Sequence, residues 1–245
     1  MDAHETLACL FPGGHRCAVG GGVITGCAAA GGAGVSVIGT ADHAAVDIPM
    51  SLRLSAHVLD TIDTRPGMPL VMLVDCAGQV LSREAEMLGI NGYFAHLLEC
   101  LHLARQRGHH LVSVVYGEAI SGAFLSFGLM GDQIYGLSSA EVRVMKLSAM
   151  AVITKIPEER LERLSRSAPV FAPGIENFQR LGGIDELWPE DELAERLVRA
   201  LAVADRTDRR RELGEARGGR ALARSVADMV RLDTPTRHIP SAHPT

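Results

Sequence analysis

Between Val114 and Leu137 the chain reads VVYGEAISGAFLSFGLMGDQIYGL: an apolar run, a small-residue turn, an apolar helix-like segment and a second apolar run. Upstream, PLVMLVD at 69–75 leads through Cys76-Ala77-Gly78-Gln79 into another helical pattern. A strand that is apolar on both faces belongs inside a covered sheet, and strand–helix–strand is a parallel crossover. Two such units in succession restrict the chain to an α/β fold. They also repeat one local device, a glycine turn after a buried strand. The first N–H groups of a helix have no intrahelical partner and lie at the positive end of its dipole. Two such turns on neighbouring strands can aim N–H donors at one oxygen, which is what an oxyanion hole requires. Spacing alone fits a pair of tight strand-to-helix corners equally well.

The remaining pattern is consistent with that frame. Residues 11–40 alternate glycines with β-branched patches, predicting short strands joined by tight turns. No G-x-G-x-x-G or G-x-x-x-x-G-K-[ST] register fits there. Leu52, Ala56, Leu59 and Ile62 share one face of a helix over 51–63 that Pro66 and Pro69 close. A long helix over 83–107 carries Phe94, Leu97, Leu98, Leu101 and Ala104 in a stripe and stops at Gly108. His109-His110 falls at its end, where imidazolium suits the dipole. Strands are expected at 111–116, 133–137 and IDELW, and helices at 123–130, 157–166 and 190–203. The loop SAPVFAPGIENFQRLGG precedes IDELW. A mixed-charge helical stretch, 206–231, is weakened by Gly214, Gly218 and Gly219, and its arginines are interleaved with acids as on a solvated face. The division expected is a domain over 1–205, a helical extension over 206–232 and a disordered tail over 233–245.

Composition excludes several functions. A net charge of −5 with 4% aromatic residues supplies neither a basic footprint nor stacking platforms for nucleic acid. The apolar run Pro69–Val74 is too short to span a bilayer, and no basic-then-apolar leader opens the chain. The five cysteines form no C-x-x-C pair and read as reduced thiols, so a soluble, cytoplasmic protein is expected. No His/Cys spacing suggests a metal site.

GEAISGAFLSFGLMGDQIYGL resembles the second signature of the crotonase superfamily, and RLGGIDELW resembles its closing element. SVIGTADH, LVDCAGQVLSREAEMLGINGYFAHL and EVRVMKLSAMAVITKIPEERLERLSRSAPVFAPGIENF sharpen the match to the gamma subunit of biotin-independent malonate decarboxylase, over about residues 11–188. The resemblance implies a crotonase-like repeated ββα superhelix, as in acyl-CoA carboxyltransferase domains. It implies a site shared with a related beta subunit, in a heterodimer or larger assembly that also holds an acyl carrier protein and an acyltransferase subunit. The reaction implied is decarboxylation of a malonyl thioester to the acetyl thioester. The substrate arrives on a phosphopantetheine-type arm, and this chain binds no cofactor or metal of its own.

Loss of CO₂ leaves an enolate that needs hydrogen-bond donors and then a proton. By resemblance, the donors are the backbones of Gly78 or Gln79 and of Gly122 or Ala123. The family's second turn is expected to carry Gly-Gly, so Ala123 adds a methyl while keeping its N–H. Glu118 is a candidate acid or a group holding the corner. The Gln79 amide can orient a carboxylate. Ser121 and Tyr116 are candidates for the substrate pocket, with helix capping and core packing as their ordinary uses. Asn91 and Tyr93 are candidates for facing the partner. Two rival readings remain open on the sequence: a stand-alone enoyl-CoA hydratase or isomerase, and a non-catalytic scaffold subunit.

Overall fold

The computed structural model describes residues 1–167 and 172–233; the part of the expected loop at 168–171 and the tail from 234 lie outside them. One sheet contains β1 (His15–Gly20), β2 (Val23–Ala30), β3 (Ala33–Thr40), β4 (Ala44–Val46), β5 (Leu70–Gln79), β6 (Leu111–Ile120), β7 (Gln133–Leu137), β8 (Glu141–Arg143) and β9 (Glu186–Trp188). Helix α1 (Ala3–Leu10) precedes β1, and α2 (Ile48–Thr64) joins β4 to β5. Helices α3 (Arg83–Met87) and α4 (Ile90–Gln106) join β5 to β6, and α5 (Ser121–Ser126) leads from β6 toward β7. After β8 come α6 (Leu147–Thr154), α7 (Glu158–Ser167) and α8 (Ile175–Arg180). After β9 come α9 (Leu193–Val203), α10 (Arg210–Ala216) and α11 (Ala223–Asp233).

The glycine-rich start is an antiparallel meander, β1-β2-β3, and from β3 onward all pairings are parallel. The main order is β1-β2-β3-β5-β6-β7-β9. Residues 70–74 and 111–115 are buried without alternation, as strands covered on both sides must be. Helix α2 packs on β2, β3 and α4, while α1 and α9 pack together against β1 and β2.

Strands β5 and β6 run well beyond the apolar segments that announce them. β5 leaves β3 at Gly39↔Leu73 and takes up β4 from Ala44↔Cys76 to Val46↔Gln79. β6 leaves β7 at Val115↔Gly136 and takes up β8 from Glu118↔Glu141 to Ile120↔Arg143. Between Val74↔Val115 and Cys76↔Ala119 the register shifts, because β6 advances four residues while β5 advances two. The bulge is held by Asp75. Its Oδ1 accepts the Glu118 N–H at 2.8 Å and lies 2.6 Å from His43 Nδ1, and its Oδ2 accepts the His43 N–H at 3.0 Å. Thr40 Oγ1 accepts the Asp75 N–H, and the Tyr116 hydroxyl donates to the Thr40 carbonyl. Gly117 passes so close that a Cβ there would sit 2.3 Å from Asp75 Oδ1.

Several expectations are corrected. The single helix over 83–107 breaks at Gly89, whose φ of +76° is left-handed, so a capped α3 precedes α4. The helix expected at 123–130 starts earlier and ends as a 3-10 turn, Gly128–Met130, where Gly128 lies against the Phe124 ring. In the 206–231 stretch Gly219 packs on the Arg180 carbonyl, too near for any Cβ, and splits α10 from α11. Its arginines pair with acids, as Arg210–Asp208 and Arg224–Glu215 do, but Arg217 donates to the carbonyls of Gln179, Ile184 and Asp185. His110 is 4% exposed, and burial lowers its pKa, which works against the imidazolium expected at the helix end. Among the described residues no helix is long and apolar enough to cross a membrane, and no group of three or more His, Cys, Asp or Glu could hold a metal ion.

Replacing Gly117 with alanine forces Asp75 off its three donors, and chemical denaturation should register a loss of about 1–3 kcal/mol. Gly92 in α4 has open space at its Cβ position, so Gly92→Ala should be neutral or stabilise by up to about 1 kcal/mol.

Candidate active site at the exits of two long strands

The two glycine turns meet. Gly78 has φ +98°, and a Cβ on it would lie 3.3 Å from Ser121 Cβ and 3.5 Å from the Ile120 carbonyl. One residue on, the Gln79 amide lies over Gly122, with Oε1 3.1 Å from where a Gly122 Cβ would be. Gln79 and Gly122 both line a cavity of about 300 Å³ whose other walls are Glu86 from α3, Ile90, Asn91, Phe94, Ala95 and Leu98 from α4, and Ser126 from α5. Apart from Glu86 and a few amide and hydroxyl groups, that wall is apolar.

The turns are not equivalent. The second is the strand-to-helix corner the sequence suggests: β6 ends at Ile120 and α5 begins at Ser121. Its first N–H groups, including those of Gly122 and Ala123, lack intrahelical partners. The first is not a helix start. β5 continues through Gly78 and Gln79 because Val46 pairs with Gln79, and the next helix begins only after Ser82, whose side chain accepts the Ala85 N–H at 3.0 Å. Donors at the first turn are therefore strand-end N–H groups, without a helix dipole behind them. The Gly78 and Ile120 N–H groups bear on the Cys76 thiol, whose pKa burial raises against their opposing pull.

Ser121 is not the N-cap. Ile120 occupies that position without a side-chain cap, and Ser121 is the first helical residue with φ +56°. A non-glycine residue there stores strain of about 1–2 kcal/mol, which persists where surrounding structure enforces it. Ala123 is fully buried and belongs to the core, so its methyl points away from the cavity. Tyr116 is also in the core: it is 2% exposed, bonds to Thr40, and burial raises the pKa of its phenol. Glu118 lies 3.7 Å from the buried Arg143, which also pairs with Glu141, so its carboxylate faces a cation on β8. Gln79 Oε1 is buried and has no hydrogen-bond partner among the described residues. Asn91 lines the cavity, and Tyr93 is half-buried beside it in sequence. Phe94 and Leu98, expected in the helical core stripe, form cavity wall, while Leu97, Leu101 and Ala104 pack inside.

Glu86 is the wall residue that sequence reasoning missed. On a helix rich in charge it reads as a solvated side chain, and in the structure it is exposed while lining the cavity, so no signal in the sequence marks it.

The fold, a parallel sheet whose two long strands end in turns beside one largely apolar cavity, is that of carboxyltransferase-type, crotonase-like domains among solved structures. The chain matches a subunit of the Pseudomonas malonate decarboxylase hetero-tetramer in complex with coenzyme A with a TM-score of 0.76 and 22% identity, covering 94% of this chain and 100% of that one. It also matches the 12S transcarboxylase hexamer with a TM-score of 0.70 and 22% identity, over 83% of this chain and 41% of that one. The family model of the malonate decarboxylase gamma subunit matches residues 41–234, and the chain belongs to that family. It is 38% identical over 179 residues to the malonyl-S-ACP:biotin-protein carboxyltransferase of Malonomonas rubra, covering 66% of this chain; it spans 61% of that relative's length.

Ser121→Gly should relieve the left-handed strain and stabilise the fold by about 1 kcal/mol, seen as a rise in Tm. An unchanged or lowered Tm would show that the serine side chain holds the corner.

Proposed function

We propose that this chain supplies one wall of an interfacial active site that decarboxylates a malonyl thioester carried on an acyl carrier protein, giving the acetyl thioester. The observation that carries the reading is the meeting of the Gly78-Gln79 and Gly122-Ala123 turns at one cavity. The Gly78 N–H bears on Cys76, so the donors are the backbone N–H groups of Gln79, Gly122 and Ala123, which hold the thioester oxygen as the departing CO₂ leaves an enolate behind. Removing one such donor typically costs about 2.7–4 kcal/mol of transition-state stabilisation. The Ser121 hydroxyl lies at the same corner, and Gln79 presents its amide there. Glu118 and Tyr116 hold the β6 end in place through Arg143 and Thr40.

The partner is a related beta subunit. An unusual amount of apolar surface supports this: Leu81, Met87 and Leu88 around α3 are 82%, 75% and 61% exposed, and Val152 and Ile153 on α6 are 68% and 67% exposed. Helix α6 buries none of its residues in this chain. Large apolar side chains left this exposed around two short helices fit an interaction site. The carrier protein, with its phosphopantetheine-type arm, and an acyltransferase subunit complete the proposed complex. On this reading it is cytoplasmic and has neither nucleic acid nor membrane as a partner. The Malonomonas rubra relative is named for passing its carboxyl group to a biotin protein. We infer that here the carboxyl group leaves as CO₂ and the enolate takes a proton, without biotin.

The test is malonyl-thioester decarboxylation by this chain, by the beta partner and by their mixture, with the mass of each measured by size exclusion. Activity only in a hetero-complex, insensitive to avidin, is the expected result. Activity from this chain alone on enoyl-CoA would instead favour a stand-alone crotonase enzyme. Gly122→Val places bulk against the Gln79 amide and should abolish activity while leaving the hetero-complex assembled. A pure scaffold would tolerate it.

A further inference from the structure

We propose that Glu86 is the catalytic acid that protonates the enolate carbon, an assignment that rests on the decarboxylase reading above. Among the described residues, Glu86 is the one ionisable side chain on the wall of the cavity that both turns border. The other polar groups on that wall are the Gln79 and Asn91 amides and the Ser126 hydroxyl, which donates to the Ala123 carbonyl. Amides do not titrate in the working range, and an aliphatic hydroxyl is too weak an acid for the task. Helix α3 fixes Glu86 from two directions. Ser82 caps it through the Ala85 N–H and the Glu86 N–H itself donates to the Ser82 carbonyl, which seats the helix with Glu86 on the cavity wall and its side chain still open to solvent.

The chemistry supplies the proton when it is needed. A malonyl group bound with its thioester oxygen at the turns brings its carboxylate into the same cavity as Glu86. A second carboxylate beside it disfavours the charged form, so in the proposed substrate complex Glu86 takes a proton from solvent. The C–C bond to the carboxylate then breaks, CO₂ leaves, and the electron pair becomes the enolate. The negative charge has moved to the oxygen held by backbone N–H groups, and Glu86 is left as a neutral acid facing the nucleophilic carbon. Its O–H bond breaks as the new C–H bond forms, the enolate collapses to the acetyl thioester, and Glu86 is an anion again. Atoms and charge balance with water as the only proton source.

In the assembled complex with its beta partner and a malonyl carrier thioester, Glu86→Gln should lower kcat by about 100-fold or more and change KM little. A required acid makes kcat fall as pH rises through its pKa in the substrate complex, and Glu86→Gln should flatten that fall. Glu86→Asp should recover part of kcat and restore the pH dependence. Glu84→Gln, on the same helix but away from the cavity wall, should match the wild type and so reports on folding and assembly. A Glu86→Gln complex with wild-type kcat and a wild-type pH profile overturns the assignment while leaving the decarboxylase reading standing. A wild-type complex that does not decarboxylate the thioester overturns both.

Discussion

The Asp75 carboxylate is the contact on which the functional end of this molecule depends. It sits where β5 and β6 exchange their main-sheet neighbours for β4 and β8, and it binds both the β3–β4 turn and the β6 bulge. A buried carboxylate is costly unless its acceptor sites are filled, and here His43 and Glu118 fill them. The same requirement fixes Asp42 and His43 in left-handed backbone, with φ of +62° and +49°, and leaves room only for glycine at position 117. Without this clamp the strands would end four or five residues earlier, and Gly78 and Gly122 would have no reason to lie side by side.

On the proposed reading, the consequence is a site built from strand ends and one short helix, with its oxyanion donors supplied by backbone. Backbone donors are fixed by the sheet and cost no side-chain entropy to orient, which suits a reaction whose main need is charge stabilisation on one oxygen. Residues around the cavity then divide the remaining work. Apolar groups from α4 exclude water, Gln79 and Ser121 shape the corner, and the proposed acid comes from a separate short helix. Local strain at Ser121, of the kind that functional sites retain, is paid for by the packing of Phe124 and Ala123 beneath it.

Much of this was legible because the signals were local. LVMLV and LVSVV are apolar on both faces, so two covered parallel strands could be read directly, and glycines marked both turns. What could not be read depended on distant partners. AAV and EVR are too short to look like strands, yet β4 and β8 carry β5 and β6 to their functional lengths. The meeting of Asp75 with His43 spans 32 residues and leaves no periodic trace. The helix stripe told half the story: Phe94 packs against the core as expected, yet it and Leu98 also line the cavity, because a wall that repels water needs the same residues as a core. Tyr116, a pocket candidate whose ordinary use is core packing, lies in the core with its hydroxyl on the Thr40 carbonyl. Glu86 was invisible for another reason: it is exposed like the solvated acids around it, and only the cavity it lines sets it apart.

The central claim is that the backbone of the two turns holds the thioester oxygen. Its most direct test is a structure of the assembled complex with a sulfoacetyl thioester, in which a sulfonate replaces the labile carboxylate. The account predicts the thioester oxygen about 2.7–3.1 Å from N–H groups of the Gly78-Gln79 and Gly122-Ala123 turns, with the sulfonate in the cavity lined by Glu86. A thioester oxygen bound only by the partner subunit, with both turns unoccupied, would contradict it.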